Sequence, residues 1–331
     1  MTLFPFKRPT VGLCIRAHAI SVVELGPGWM TIGGGRRLRR VEERRLPPGL
    51  VRPFSSELNV TDVSKLVDEI QILLDRPGPT AAVLNLPDLC ARTALFDFDA
   101  LPAKPAEREA LLRWRFQKDL NVAVDTARLV HLVFRSSQAG STSRARVLAA
   151  AARRTIIEQY EQTCEKAGVI PVEVRLTGPA LFDLCRPVIQ RTLMDRAADG
   201  RANDEWFFSA ITDDSFSLFA IRHGVPSFTR MKSRNGTNGA ASLVPRASAA
   251  DEVLATLHFY DESHGPLPGV TLRPVFVVAA TDEPLLDDVT AQSLGVEVIP
   301  ISWPAFRVSI GRSTGTPAAS TLAAMAGVLG A

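Results

Sequence analysis

The sequence predicts an α/β protein of two lobes, each built on one repeated unit of three strands, a helix, a strand and a helix. Three observations predict it. The apolar spacing changes from alternation to a 3.6-residue period in the same order in both halves. At 331 residues the chain exceeds what one core ordinarily serves. Apolar residues make up 46% and charged residues 22%, the balance of a folded globular chain.

The first unit opens with strands at Val11–Ile15 and Ile20–Leu25, the second ended by Gly26, Pro27 and Gly28. A third strand is expected within Arg37–Leu46, after a Gly33-Gly34-Gly35 turn and before a Pro- and Ser-rich loop. Val63, Leu66, Val67, Ile70, Leu73 and Leu74 then keep helical spacing, with Thr61 as N-cap and Pro77 past the end. Ala81–Leu86 is a buried strand. The second half repeats the order, with strands at Trp206–Thr212, Phe216–Ile221 and Ser227–Met231, the loop Ser233–Asn238, a helix from Ala249 to Tyr260 and a strand at Val275–Ala280. A helix near Leu285–Leu294, a strand at Val296–Ile301 and a tightly packed small-residue helix at Ala318–Leu329 follow.

Between the units the sequence reads as an insertion in the first lobe. Its strands are expected at Thr93–Phe98, Ala127–Phe134 and Arg146–Ala151, with a helix begun by Pro105 and a polar linker at Ser136–Ser143. An amphipathic helix through Ile156, Ile157, Tyr160 and Cys164 stops at Gly168. A strand at Val172–Leu176 and a helix from Pro179, bent at Pro187, come next. The expected boundaries are 1–90 for the first-lobe core, 91–175 for the insertion, 176–200 for a linking helix and 201–331 for the second lobe.

A formal charge of +3 is too weak for a nucleic-acid binder without a concentrated patch. The one candidate patch, Arg36–Arg45, is interrupted by Glu42 and Glu43; it reads as a solvated strand, with an anionic membrane surface or an acidic partner as the alternative. No run approaches a spanning helix and the first residues lack a signal peptide's apolar region, so a cytoplasmic protein is expected. Cys14, Cys90, Cys164 and Cys185 are far apart, with no C-x-x-C pair and no His at zinc spacing; buried free thiols are expected, and no metal. The sequons at Asn59 and Asn235 have no meaning in a chain that is not secreted.

A duplicated βββαβα unit of ribonuclease H-like plan, with an insertion in its first copy, resembles the two-lobed actin-like ATPase fold. Several stretches sharpen the resemblance to the PilM family of type IV pilus assembly proteins. VGLCIRAHAISVVEL (Val11–Leu25) is similar to that family's opening hairpin, and NLPD (Asn85–Asp88) to its strand-ending L-P-D. The stretches Ala100–Phe134 and Val147–Val174 resemble its insertion helix and strand and its A-A-R helix with an A-G-x-x-P turn. SLFAIRHGVPSFTR and DEVLATLHFY match later landmarks.

Such an ATPase needs carboxylates for magnesium and glycines that let backbone N–H groups reach phosphate. Cys14 stands where the resemblance implies the metal-side Asp, and Arg16 where it implies the phosphate-turn Gly. Ala210 and Thr212 replace the second D-x-G, with Asp213 and Asp214 too late in the turn, and Ala279 and Ala280 replace the Gly pair beside the adenine. His18 and Arg16 read either as substitute phosphate ligands or as side chains refilling a decayed site, and Glu252 as a ribose contact or as first-turn helix chemistry. Gly33-Gly34-Gly35 lacks the spacing of a P-loop.

With no catalysis expected and no cofactor beyond a disfavoured ATP and magnesium, the resemblance implies a platform. Its partner would be the short cytoplasmic N-terminal tail of a PilN-like inner-membrane protein of type IV pilus or related type II secretion assembly, with membrane contact only through that partner. The groove implied lies between first lobe and insertion, near Leu86, Pro87, Asp88, Arg92, Trp114, Lys118 and Leu120. Trp114 reads equally as a packed core aromatic. The alternatives are an ATP-binding ATPase or sugar-kinase relative with unorthodox ligands and, third, a filament former.

Overall fold

The computed structural model describes residues 9–30, 36–75, 78–135, 145–201, 204–234, 248–265, 272–280, 285–313 and 318–329. The expected Gly33-Gly34-Gly35 turn, Pro77, the Ser136–Ser143 linker and most of the Ser233–Asn238 loop lie outside them.

Two sheets repeat one topology. In the first, β1 (Val11–Ile15), β2 (Ala19–Met30), β3 (Arg36–Arg45), β4 (Thr80–Leu86) and, beyond an insertion, β8 (Val169–Leu176) lie in the order β3-β2-β1-β4-β8. In the second, β9 (Glu205–Ile211), β10 (Ser215–Arg222), β11 (Val225–Ser233), β12 (Arg273–Ala279) and β13 (Val296–Pro300) lie in the order β11-β10-β9-β12-β13. The first three strands of each are antiparallel and the last two join in parallel. This is the duplicated unit that the two changes of period predicted.

The outer face of the first sheet carries α1 (Val63–Leu74) and α3 (Arg154–Lys166), whose Leu66, Ile70, Ile156, Tyr160 and Cys164 pack on Leu13, Leu84 and Leu86. Asp62 rather than Thr61 caps α1, accepting from Lys65 N at 3.0 Å, while Thr61 Oγ1 donates to Gly49 O. The outer face of the second sheet carries α5 (Ala249–His264) and α6 (Asp288–Ser293). Between the sheets lies a shared core in which α4 (Thr177–Ala198) and α7 (Leu322–Leu329) meet Cys14, Val23 and Leu38 from one sheet and Phe208, Phe219 and Phe276 from the other. The small residues of α7 serve this approach: a Cβ on Gly12 of β1 would stand 2.0 Å from Ala324 O.

The insertion proper is a three-stranded antiparallel sheet, β5 (Ala91–Phe98), β7 (Ala145–Arg153) and β6 (Ala127–Arg135), with α2 (Pro105–Leu120) over one face. It ends earlier than the expected 175. Residues 154–176 form α3 and β8, which pack on and pair with the first sheet as the crossover and fifth strand of its unit. The expected second lobe, 201–331, likewise returns material to the first: β14 (Val308–Ser313), which the sequence reading missed, pairs in parallel with β3, and α7 packs on β1 and β4.

The basic run on β3 is not simply a solvated strand. Arg40 is buried and donates to Leu73 O at 2.6 Å and Leu74 O at 2.7 Å, neutralising the carbonyl end of α1, and Arg44 pairs with Glu69 of α1. Arg37 and Arg39 are exposed.

Candidate functional site

The turns β1–β2 and β9–β10 face each other across the joint between the sheets, where the resemblance implies bound phosphate. Arg16 sits in the first, its N–H donating to Ala19 O at 2.9 Å. Arg16 as a residue is 1% exposed, and its side chain spans the joint: Nη1 donates to Asp213 Oδ2 of the second turn at 3.0 Å, and Nη2 to Glu43 Oε2 of β3 at 2.5 Å. Ser320, just before α7, donates to the same Glu43 oxygen at 2.6 Å. A guanidinium shared between two carboxylates has its charge spent inside the chain. Arg16 therefore fills the joint.

The other candidate positions are similarly occupied by local contacts. Cys14 is fully buried, its Sγ 3.8 Å from Thr177 Oγ1; burial pushes the thiol up to about 11 against the opposing pull of Arg16, so it stays neutral. Ala210 is buried in the core between the sheets. Thr212 closes its own turn, donating to Asp214 Oδ1 at 2.6 Å and accepting from Ser215 N at 3.0 Å, while Arg234 Nη1 donates to Thr212 O at 2.9 Å. Glu252, buried in the first turn of α5, receives Lys232 Nζ at 2.9 and 3.0 Å. Ala279 and Ala280 are half-buried at the end of β12, Ala280 N donating to Ile211 O. His18 is exposed. Among the described residues no group of three His, Cys, Asp or Glu side chains could hold a metal ion.

The candidate groove residues separate into two places. Leu86, Pro87 and Asp88 are buried. Asp88 instead pins three elements, accepting from Gly178 N of α4 at 2.8 Å and Ser217 Oγ of β10 at 2.5 Å. Burial raises its carboxyl to about 6, with the two hydrogen bonds opposing. A Cβ on Gly178 would lie 2.4 Å from its Oδ2. Arg92, Lys118 and Leu120 are exposed on the insertion. Trp114 is 51% exposed, with Lys118 Nζ 4.6 Å from its ring centroid, so it is no core aromatic.

Sequence reading missed the residues that complete both places. Glu43 reads as an interruption of a basic run, and Lys232 and Ser320 carry no motif. Phe54 and Leu58 lie in the loop between β3 and α1, which no periodicity marks. Both are exposed, and the loop is tied to the insertion by Arg153 Nη1 donating to Ser56 O at 2.7 Å. Gln159 of α3 fastens the same loop, accepting from the N–H groups of Asn59 and Val60.

No protein-family model matches the chain, and no curated protein matches it significantly. Solved structures do. A PilM-PilN type IV pilus biogenesis complex aligns over 97% of this chain and 98% of its own at 20% identity, with a TM-score of 0.67. The cytoplasmic domain of EpsL, an inner-membrane component of the type II secretion system of Vibrio cholerae, aligns over 96% and 93% at 8% identity and a TM-score of 0.49. A Bacteroides thetaiotaomicron protein with an actin-like ATPase fold and unknown function reaches 0.47 at 8% identity over 90% and 94%. Along essentially its whole length, the chain has a PilM-like, two-lobed fold of the actin-like ATPase type.

Proposed function

We propose that the chain is a non-catalytic cytoplasmic platform of type IV pilus or related type II secretion assembly, and that it holds the short cytoplasmic N-terminal tail of a PilN-like inner-membrane protein. The observation that carries the proposal is the position of Arg16. In a joint that would have to admit a triphosphate and its magnesium, a buried guanidinium bridges Glu43 and Asp213. Admitting an anion there means breaking two ion pairs and leaving two carboxylates against the incoming charge. The neutral Cys14 thiol beside it is a poor magnesium ligand.

Full-length similarity of fold to the PilM of a PilM-PilN complex supports the partner class. The surface chemistry supports the mode. Phe54 and Leu58, the latter 60% exposed, stand on a loop bonded to the end of β7, with Arg92 exposed at the start of the neighbouring β5. Apolar anchors beside an exposed basic side chain suit an extended peptide that brings aliphatic residues and main-chain carbonyls. No helix of the described residues is long and apolar enough to cross a membrane, so in this reading the partner supplies the membrane contact.

The test is titration calorimetry of the full chain with a synthetic peptide matching the N-terminal tail of a PilN-like single-span protein from the same genome. Saturable binding that Leu58→Asp weakens at least tenfold, with the circular dichroism spectrum unchanged, is expected. A tail that does not bind, or that binds the Leu58→Asp variant equally well, contradicts the proposal.

A further inference from the structure

Exposed edge strands template pairing with other chains, and proteins blunt them with proline, bulges or charge. Most free edges here are blunted. β8 carries Pro171 and a register shift, β11 carries Pro226 and a register shift, and β13 ends in Pro300. The edge of the insertion is different. β6 reads ARLVHLVFR, pairs on one side with β7 through nine unbroken residue pairs, and among the described residues has no neighbouring strand on the other. Proline, glycine and acidic residues are absent from it. Val130 and Leu132, on the face turned away from α2, are 65% and 56% exposed.

The residue types of β6 read nearly the same in both directions about His131. We propose that β6 is a homodimer edge, at which two copies of the chain pair antiparallel about a twofold axis through His131 and join their insertion sheets into one six-stranded sheet. An axis perpendicular to the sheet keeps α2 of both copies on the same face. In this register Val130 of one copy faces Leu132 of the other on the open face, and Arg128 faces Phe134. On the helix-bearing face Leu129 meets Val133. Every contact in the central five residues is aliphatic against aliphatic except the pair of imidazoles at the axis, and Arg128 meets an aromatic ring rather than another cation. The chain itself thus supplies the partner strand that its edge fits. A single strand pair is a small interface, so the dimer belongs to the weak, concentration-dependent class.

This inference stands apart from the tail-binding proposal and is tested by sedimentation equilibrium of the full chain across the micromolar range. The expected weight-average mass rises from 35.9 kDa toward twice that value. Leu132→Lys, a change at an exposed position that leaves the fold intact, should hold the chain at monomer mass at every concentration. Cysteine pairing reads the register, since the four native thiols are buried. His131→Cys alone should cross-link under oxidation, and Val130→Cys should cross-link only when mixed with Leu132→Cys. A chain that stays monomeric throughout overturns the proposal, including one whose β6 pairs only with another protein's strand. So does a dimer that Leu132→Lys leaves intact, or one that Val130→Cys cross-links by itself.

Discussion

Arg16 is the side chain on which the site turns, and its removal has a calculable consequence. Arg16→Ala leaves Glu43 and Asp213 without their shared counter-charge. Because both carboxylates retain some solvent while the guanidinium has almost none, the expected loss is about 2–3 kcal/mol, below the range for a fully buried pair. Urea denaturation at neutral pH measures it. Cys14 and Arg16 stand out in the sequence because each breaks the local motif that the resemblance implies. The partners of Arg16 do not, since Glu43 and Asp213 are 27 and 197 residues away and only the fold brings them together.

Asp88 carries the second prediction at this scale. Its folded carboxyl is raised to about 6 from an ordinary 3.8, so the folded chain binds that proton more tightly than the unfolded chain does. The resulting stabilisation is full below about pH 3.8 and is lost as pH rises through about 6. Wild type should therefore lose on the order of 3 kcal/mol relative to Asp88→Asn between pH 4 and pH 7. Denaturation of both proteins across that window measures the difference, which cancels the other carboxylates. The resemblance implied a groove role for Asp88 because it places the groove between the first lobe and the insertion; the contacts that hold Asp88 in the interior come from Gly178 and Ser217, 90 and 129 residues on.

Among the elements, α7 depends on the missing side chain of Gly12. Gly12→Ala drives a methyl into Ala324 O, and backbone in the middle of a shared core has little freedom to yield. A cost at or above about 3 kcal/mol is expected, read as a lowered midpoint in urea. Strands and helices with clear periodicity were legible to within a few residues: β1, α1 and β10 carry uninterrupted patterns. β14 was not, because VSIGRS is short, contains a glycine and finds its partner β3 across the whole chain. α3 and β8 were read as elements but assigned to the insertion, since sequence adjacency favours β7 and only the parallel pairing with β4 returns them to the first sheet.

For the whole molecule, the two lobes are held by a continuous core and by polar links through Arg16, Asp88 and Ser217. That arrangement suits a body with one resting shape better than one that opens and closes around a ligand. If Arg16, Glu43 and Asp213 close the joint to nucleotide, calorimetric titration of the full chain with ATP and magnesium reads it. No saturable heat is expected at concentrations below millimolar; a stoichiometric isotherm with micromolar affinity, lost in Arg16→Ala, would show that the joint admits nucleotide after all.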